Sequence, residues 1–339
     1  MDVFCVGMYR ACSTWQYEVI AHLLERHHGG ERLGYVKGED YRVGPDDPPR
    51  WRVLKSHEGH RRFSDALARG RARGVYAHRD VRDVVFSLMH KRGVRFEELV
   101  RQGMIHQILV NDRFWRARPG LLVQRYEDLI ADPAAGVREL AEYLGLALAE
   151  GEAAAVAREY SFQANRERTQ RLGARLRAAG VDLDRPANFQ YYDGQTLLHW
   201  NHLREGGAGD WREAATPSQR AILARLCNPW LRAQGYVVDP TGSLRSVGSL
   251  LADETTMARG ALACSLRGLS LRYPRSARVA KRFLGIAPEA EGAKPANVPS
   301  QSPVRADKQE AHVPPSPHDD SQSDPARTVE NANATKSSS

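Results

Sequence analysis

Residues 7–16 read GMYRACSTWQ, directly behind the apolar run VFCV at residues 3–6. A strand that ends in a glycine turn and then opens a helix aims backbone N–H groups and the positive end of the helix dipole at one point. Many chains hold a phosphate in this way. A Walker-type nucleotide loop closes on Gly-Lys-Ser/Thr, so that the lysine reaches the terminal phosphates and the hydroxyl reaches magnesium. Here the loop closes on Cys12-Ser13-Thr14, and that lysine is absent. What remains is a different anion cradle. Arg10 supplies a fixed cation, the backbone from Ala11 through Cys12 to Thr14 supplies N–H groups, Ser13 and Thr14 add hydroxyls, and Trp15 offers an aromatic face. Such a cradle suits a 5′-phosphate without a metal. An ordinary strand–helix turn with Ser13 as N-cap accounts for the same stretch taken alone.

The chain has 339 residues, of which 42% are hydrophobic, enough to bury a substantial core. Its formal net charge of +8 favours an anionic partner: a nucleotide, nucleic acid, acidic lipid or acidic substrate. No recognisable nucleic-acid module accompanies the charge, so nucleic acid is not expected. The 4 cysteines (Cys5, Cys12, Cys227 and Cys264) show no metal-ligand spacing. They read as free thiols of a reducing compartment, and no metal is expected. The N-terminus lacks a basic segment followed by a long apolar one, and no apolar run approaches a membrane span. The expectation is a cytoplasmic protein.

Along the chain, strand-like and helix-like stretches alternate. VFCVG, WRVLKSH, GVYAHRD and GLLVQRYEDL read as strands. Helical periodicity follows from Ser13 to about Glu25, through VRDVVFSLMHKR, over Glu97–Arg116, and from Pro133 towards Gly145. A charged helical region continues from about Glu150 to Arg177, and LLHWNHLREGGAGDWREAATPSQ reads as a glycine-rich loop. This order predicts an α/β fold: a three-layer parallel sheet flanked by helices, with ligands at the carboxyl ends of the strands. We expect one α/β domain over 1–240, a basic helical extension over 241–286 and a disordered tail over 287–339. The tail carries many prolines and no aromatic residue, so it cannot bury enough apolar surface to offset its ordering entropy. The extension carries Arg259, Arg267, Arg272, Arg275, Arg278, Lys281 and Arg282 among Leu262, Leu266, Leu269 and Phe283. Peripheral membrane contact through 259–283 and a helix packed on the domain with a solvated basic face both fit that pattern.

Three strand ends carry groups with chemistry. The first is the loop at Arg10. The second, RVLKSH, ends in Lys55, Ser56 and His57; the third, AHRDVRDVVFS, places Arg79 at a strand edge and Ser87 about two helical turns on. An arginine at a strand edge and a hydroxyl on the next helix can clamp a second phosphate.

Taken together, these stretches resemble the sulfotransferases that use 3′-phosphoadenosine 5′-phosphosulfate (PAPS). That family's first loop, roughly Pro-Lys-Ser-Gly-Thr-Thr-Trp, is similar to YRACSTW, with Arg10 at the lysine position and Cys12 at a glycine. Its Lys-Thr-His strand end resembles Lys55-Ser56-His57, and its Arg-Asn-x-x-Asp-x-x-x-Ser motif resembles Arg79 through Ser87. Its Tyr-Glu-Asp-Leu strand is similar to Tyr126–Leu129, and its late Arg-Lys-Gly-x-x-Gly-Asp-Trp loop to Arg204–Trp211, where Glu205 replaces a cation. The motifs keep their order across residues 3–235. The resemblance implies a P-loop-like fold and a PAPS-dependent enzyme that moves a sulfuryl group to an acceptor hydroxyl or amine on a small molecule, glycan or lipid. It further implies that Arg10 and the loop hold the 5′-phosphate, that Arg79, Ser87, Arg204 and the Gly206 backbone hold the 3′-phosphate, and that Trp15, Tyr126 and Phe162 hold the adenosine.

Sulfuryl transfer asks mainly for in-line positioning and charge stabilisation. His57 is the candidate general base, because histidine ionises near working pH. Lys55, two residues earlier on an extended segment, shares its face and could neutralise the bridging oxygen of the leaving nucleotide. Glu58 is the rival base, although alternation puts it on the opposite face. A P-loop kinase and a non-catalytic nucleotide- or polyanion-binding protein stand as alternatives. The first lacks its lysine, and the second would not need Lys55 and His57.

Overall fold

The computed structural model describes residues 1–44, 50–185, 188, 191–201, 203, 207–238, 258–262 and 264–265. Five parallel strands form one sheet: β1 (Asp2–Gly7), β2 (Glu31–Tyr35), β3 (Arg52–Lys55), β4 (Ala72–His78) and β5 (Leu122–Arg125), in the order β2-β3-β1-β4-β5. The run VFCV is apolar throughout because β1 is central and covered on both faces. It pairs with β3 in the register Phe4 to Leu54 and with β4 in the register Phe4 to Gly74.

The helices are α1 (Ser13–His28), α2 (Arg61–Ala68), α3 (Val81–Arg92), α4 (Phe96–Arg101), α5 (Met104–Arg116) and α6 (Tyr126–Ala131). They continue with α7 (Pro133–Leu144), α8 (Glu152–Glu159), α9 (Phe162–Ala178), α10 (Trp211–Ala214) and α11 (Pro217–Ala233). Alternation along β1 divides the core in two. Phe4 and Val6 pack with Leu54, Tyr76, Val85, Ile105 and Leu223 on one face. Val3 and Cys5 pack with Val53, Val75, Ile20, Leu140 and Val156 on the other. This is the three-layer α/β arrangement expected from the alternating pattern. After β1 the chain builds one side of the sheet, then crosses to β4 on the other. That reversal opens a crevice beyond the carboxyl ends of β1, β3 and β4.

Several boundaries differ from the expectation. The helix expected over Glu97–Arg116 is two helices, because Gly103 adopts φ 69° and caps the start of α5. Tyr126–Leu129, expected as a strand, opens helix α6: the strand stops at Arg125, and Glu127 and Asp128 occupy the first helical turn. Strand β2 was not expected at all. Its sequence ERLGY is half-exposed at the sheet edge and shifts register between Arg32 and Gly34. Most of 241–286 lies outside the described residues. Within it, 258–262 and 264–265 are helical, and Cys264 Sγ lies 3.7 Å from Gln107 Oε1 on α5. The tail at 287–339 lies wholly outside.

One glycine fixes the geometry of the crevice. A Cβ on Gly7 would sit 2.6 Å from the Ala77 carbonyl oxygen, so β1 and β4 could not keep their spacing. Gly7→Ala should therefore lower the urea midpoint, with a loss of roughly 1–3 kcal/mol, the usual range for overpacking. An unchanged midpoint would show that the strands part at little cost.

Candidate active site

The turn after β1 is held by backbone conformation rather than by a side-chain cap. Arg10 and Cys12 both adopt left-handed φ values, 62° and 71°. Cys12, not Ser13, is the N-cap residue of α1, and its side chain makes no capping hydrogen bond. The α1 N-terminus therefore keeps its N–H groups for whatever enters the crevice. Burial pushes the Cys12 thiol up to about 12, so it stays protonated.

Arg10, Ala11, Cys12, Ser13, Thr14, Trp15, Lys55, His57, Arg79, Ser87, Tyr126 and Phe162 all line one cavity of about 590 Å³. Each comes from a strand end or the helix that follows, apart from Phe162, which starts α9 and is half-exposed. Arg204 and Gly206, expected at the same place, lie outside the described residues, as does Glu205.

His57 stands just past β3. Its Nδ1 is 3.0 Å from the Gly7 carbonyl oxygen, and Lys55 Nζ is 3.4 Å from its Nε2. A carbonyl can only accept, so Nδ1 carries the proton and the Nε2 lone pair is left on the Lys55 side. The Trp115 indole donates to the His57 carbonyl at 3.0 Å, and the Tyr9 ring stacks obliquely on the imidazole with centroids 4.6 Å apart. Burial, then the neighbouring Lys55 charge, pushes the His57 pKa down to about 3, against the opposing pull of the Gly7 carbonyl. The imidazole is thus neutral at working pH, well below the near-neutral titration expected from its type. Burial and then Arg10 lower Lys55 to about 8. Glu58 is exposed and is not part of the cavity lining.

Arg79 is buried beyond β4. One guanidinium nitrogen donates to the Gly207 carbonyl at 2.8 Å and lies 3.7 Å from Asp83, while the guanidinium carbon lies 4.1 Å from the Tyr126 ring centroid. Its Nε has no hydrogen-bond partner among the described residues. Asp83 in turn accepts from the backbone N–H groups of Gly209 and Trp211, at 2.7 and 3.1 Å, fastening the late loop to α3. Arg10 Nε donates to Ser87 Oγ at 2.9 Å, so the two expected phosphate positions adjoin.

The match to a family model spans residues 1–235 and is described as a sulfotransferase domain. The chain belongs to the sulfotransferase family. No curated protein matches this sulfotransferase significantly. Among solved structures, it is similar to mouse sulfotransferase SULT7A1 complexed with PAP, at 18% identity and a TM-score of 0.48, over 68% of this chain and 84% of that one. It is also similar to retinol dehydratase in a complex with retinol and PAP, at 16% identity and a TM-score of 0.48, over 72% and 83%. A further retinol dehydratase structure, with androsterone and inactive cofactor PAP, gives 17% identity and a TM-score of 0.47 over 73% and 82%.

The sulfotransferase cavity also has walls that the motifs do not mark. Tyr35 ends β2, Leu88, Lys91 and Arg92 follow Ser87 along α3, and Tyr192, Leu197, Leu198, His199 and Leu203 come from the loop after α9. Tyr192 and His199 form an antiparallel bridge, and Leu197 takes φ 59° at the turn between them. Lys91 was legible in principle: it stands four residues after Ser87 on a helix and so shares its face. The loop residues had no comparable signal. Among the described residues there is no group of three or more His, Cys, Asp or Glu that could hold a metal, and no helix is long and apolar enough to cross a membrane.

Proposed function

We propose that this sulfotransferase moves the sulfuryl group of PAPS to an acceptor hydroxyl or amine, with His57 as general base. The observation that carries the reading is the chain Gly7 carbonyl, His57, Lys55 at the mouth of two strands, which presents a neutral imidazole nitrogen beside a cation. A protein that only bound polyanions would gain nothing from holding that tautomer. PAPS, when bound, supplies the sulfuryl group and departs as PAP, the 3′,5′-bisphosphate.

The residues present fit such a nucleotide. Arg79 Nε is a buried donor without a partner among the described residues, and a 3′-phosphate between Arg79 and Ser87 would satisfy it. Arg10 and the N–H groups of α1 receive the 5′-phosphate, Arg10 being a planar fork rather than a flexible point charge. Trp15, Tyr126 and Phe162 provide aromatic surface for the adenosine; Arg204 and Gly206, outside the described residues, keep the 3′-phosphate role that the resemblance implies. During transfer, His57 Nε2 takes the proton from the acceptor as the new S–O or S–N bond forms. Lys55 turns its ammonium to the oxygen from which the sulfur departs and offsets the charge growing there. The acceptor class stays open between small molecule, glycan and lipid, and contact with a membrane through 259–283 stays a proposal.

Two measurements test the reading. A labelled-sulfate screen with PAPS as donor and pooled acceptors should give product only in the presence of the donor. PAP should also raise the melting temperature far more than ATP or GTP at equal concentration and without magnesium. A ligand at one hundred times its dissociation constant adds about 2.7 kcal/mol, which is plain in a melting curve. Equal shifts with ATP, or a magnesium requirement, would return the kinase alternative.

A further inference from the structure

The cations lining the cavity outnumber what the nucleotide uses. Arg10, Lys55, Arg79, Lys91 and Arg92 face it, whereas the lone carboxylate among the described lining residues is Glu18. Glu18 is fully buried beneath Asn165, which donates to its Oε2 at 3.1 Å, and burial raises its pKa to about 8, so it brings no negative charge at neutral pH. In the reading above, Arg10, Lys55 and Arg79 serve the nucleotide. Lys91 and Arg92 are left over.

Their position says what they serve. Lys91 lies one helical turn past Ser87 and donates to Asn201 Oδ1, so it stands between α3 and the loop that carries Leu197, Leu198 and His199. Arg92 is close enough to Tyr9 for its charge to act on the phenol, and Tyr9 stacks on His57. Arg92 therefore belongs to the part of the cavity beside His57, with Tyr9 and Tyr35, and Lys91 lines the same cavity with Leu88, Leu197 and Leu198. Burial, then Arg10, pushes Lys91 down to about 7, and among the described residues no carboxylate pairs with it. Glu58, outside the lining, still acts on Tyr9 and Tyr35 and would repel an anion placed near the rim.

We propose that the acceptor carries an anionic group, a carboxylate or a phosphate ester, which Lys91 and Arg92 receive while its hydroxyl or amine is presented to His57. The aromatic and leucine walls take the organic body between the two. Nucleotide and acceptor share about 590 Å³, so the buried part of the acceptor is of small-molecule size. This inference rests on the sulfuryl-transfer reading and narrows it.

The test is calorimetric titration of the PAP-loaded full chain with matched probes: 4-hydroxyphenylacetate against its amide, and glucose 6-phosphate against glucose. In at least one pair the anion should bind about tenfold tighter or more, the usual weight of a charge-assisted hydrogen bond pair. Lys91→Gln, which keeps a donor for Asn201, should reduce that preference to within about threefold while leaving PAP affinity within the same margin. Arg92→Gln, at an exposed position, should weaken the same preference. No preference in either pair, or a preference that survives both substitutions, overturns the inference alone. A Lys91→Gln protein that loses PAP affinity about tenfold instead assigns Lys91 to the nucleotide and also overturns it. Failure of the unaltered chain to bind PAP overturns the sulfuryl-transfer reading, and this inference with it.

Discussion

His57→Ala should cut turnover by about 10²–10⁴-fold and leave PAP affinity nearly unchanged. That range is the usual weight of a positioned general base. Affinity is spared because Nδ1 is engaged by the Gly7 carbonyl and Nε2 lies beside Lys55, so neither ring nitrogen is taken up by a phosphate in the proposed binding mode. Glu58→Gln is the control, and its turnover should stay within about twofold, as expected of an exposed side chain outside the cavity lining. If Glu58→Gln abolished transfer while His57→Ala preserved it, the base assignment would be wrong. The same imidazole leaves a mark on stability. Its folded pKa, about 3, lies below the unfolded value near 6.5, so protonation favours the unfolded chain. Its contribution is fully present above about pH 6.5 and is lost as pH falls towards 3. His78, lowered to about 3 by burial, adds to the same acid loss, so the difference between wild type and His57→Ala isolates the part due to His57.

Arg79→Ala should weaken PAP by roughly 10–100-fold, the equivalent of about 1.5–3 kcal/mol for hydrogen bonds to a charged group. Adenosine 5′-phosphosulfate, which lacks the 3′-phosphate, should lose little. That contrast distinguishes a phosphate contact from general damage. Damage is a real concern, because the substitution strips Asp83 of its nearest cation and releases the Gly207 carbonyl. Arg79→Lys keeps the charge but not the fork, so it should fold normally and still lose affinity for PAP. Parallel losses for both nucleotides, in Arg79→Lys as well as in Arg79→Ala, would place the role of Arg79 in the fold alone.

The frame of the fold was legible because its strong signals are local. VFCV could be covered on both faces in only a few ways, and Pro133 and Gly145 bracket α7 as helix punctuation should. The misreadings arose where local chemistry pointed two ways. Tyr126–Leu129 continues an apolar run, yet its two acids suit a first helical turn better than a strand end. Gly103 interrupts a helical period that sequence spacing alone would carry through. Strand β2 has too little apolar alternation to be seen, because it forms an edge. The site followed the same division. That the groups at strand ends would line one cavity could be read because their position follows from the alternation of strands and helices. Tyr35 was hidden with its strand, and Tyr192, Leu197 and His199 came from a loop whose course depends on tertiary contacts such as Arg32 to the Gln195 carbonyl at 3.2 Å.

The central place of β1 also bears on synthesis. Its partners are residues 52–55 on one side and 72–77 on the other, so one edge of the strand waits about fifty residues for its partner and the other about seventy. At about 5–20 residues per second, the wait lasts several seconds. Until residues 52–55 emerge, VFCV is an apolar segment with both hydrogen-bonding edges open, and until 72–77 emerge one edge stays open, the kind of sequence that associates with other chains. Loop closure on this scale also slows folding once the pieces exist. Yield in a heterologous host should therefore depend on temperature and chaperone supply more steeply than the stability of the finished protein would suggest.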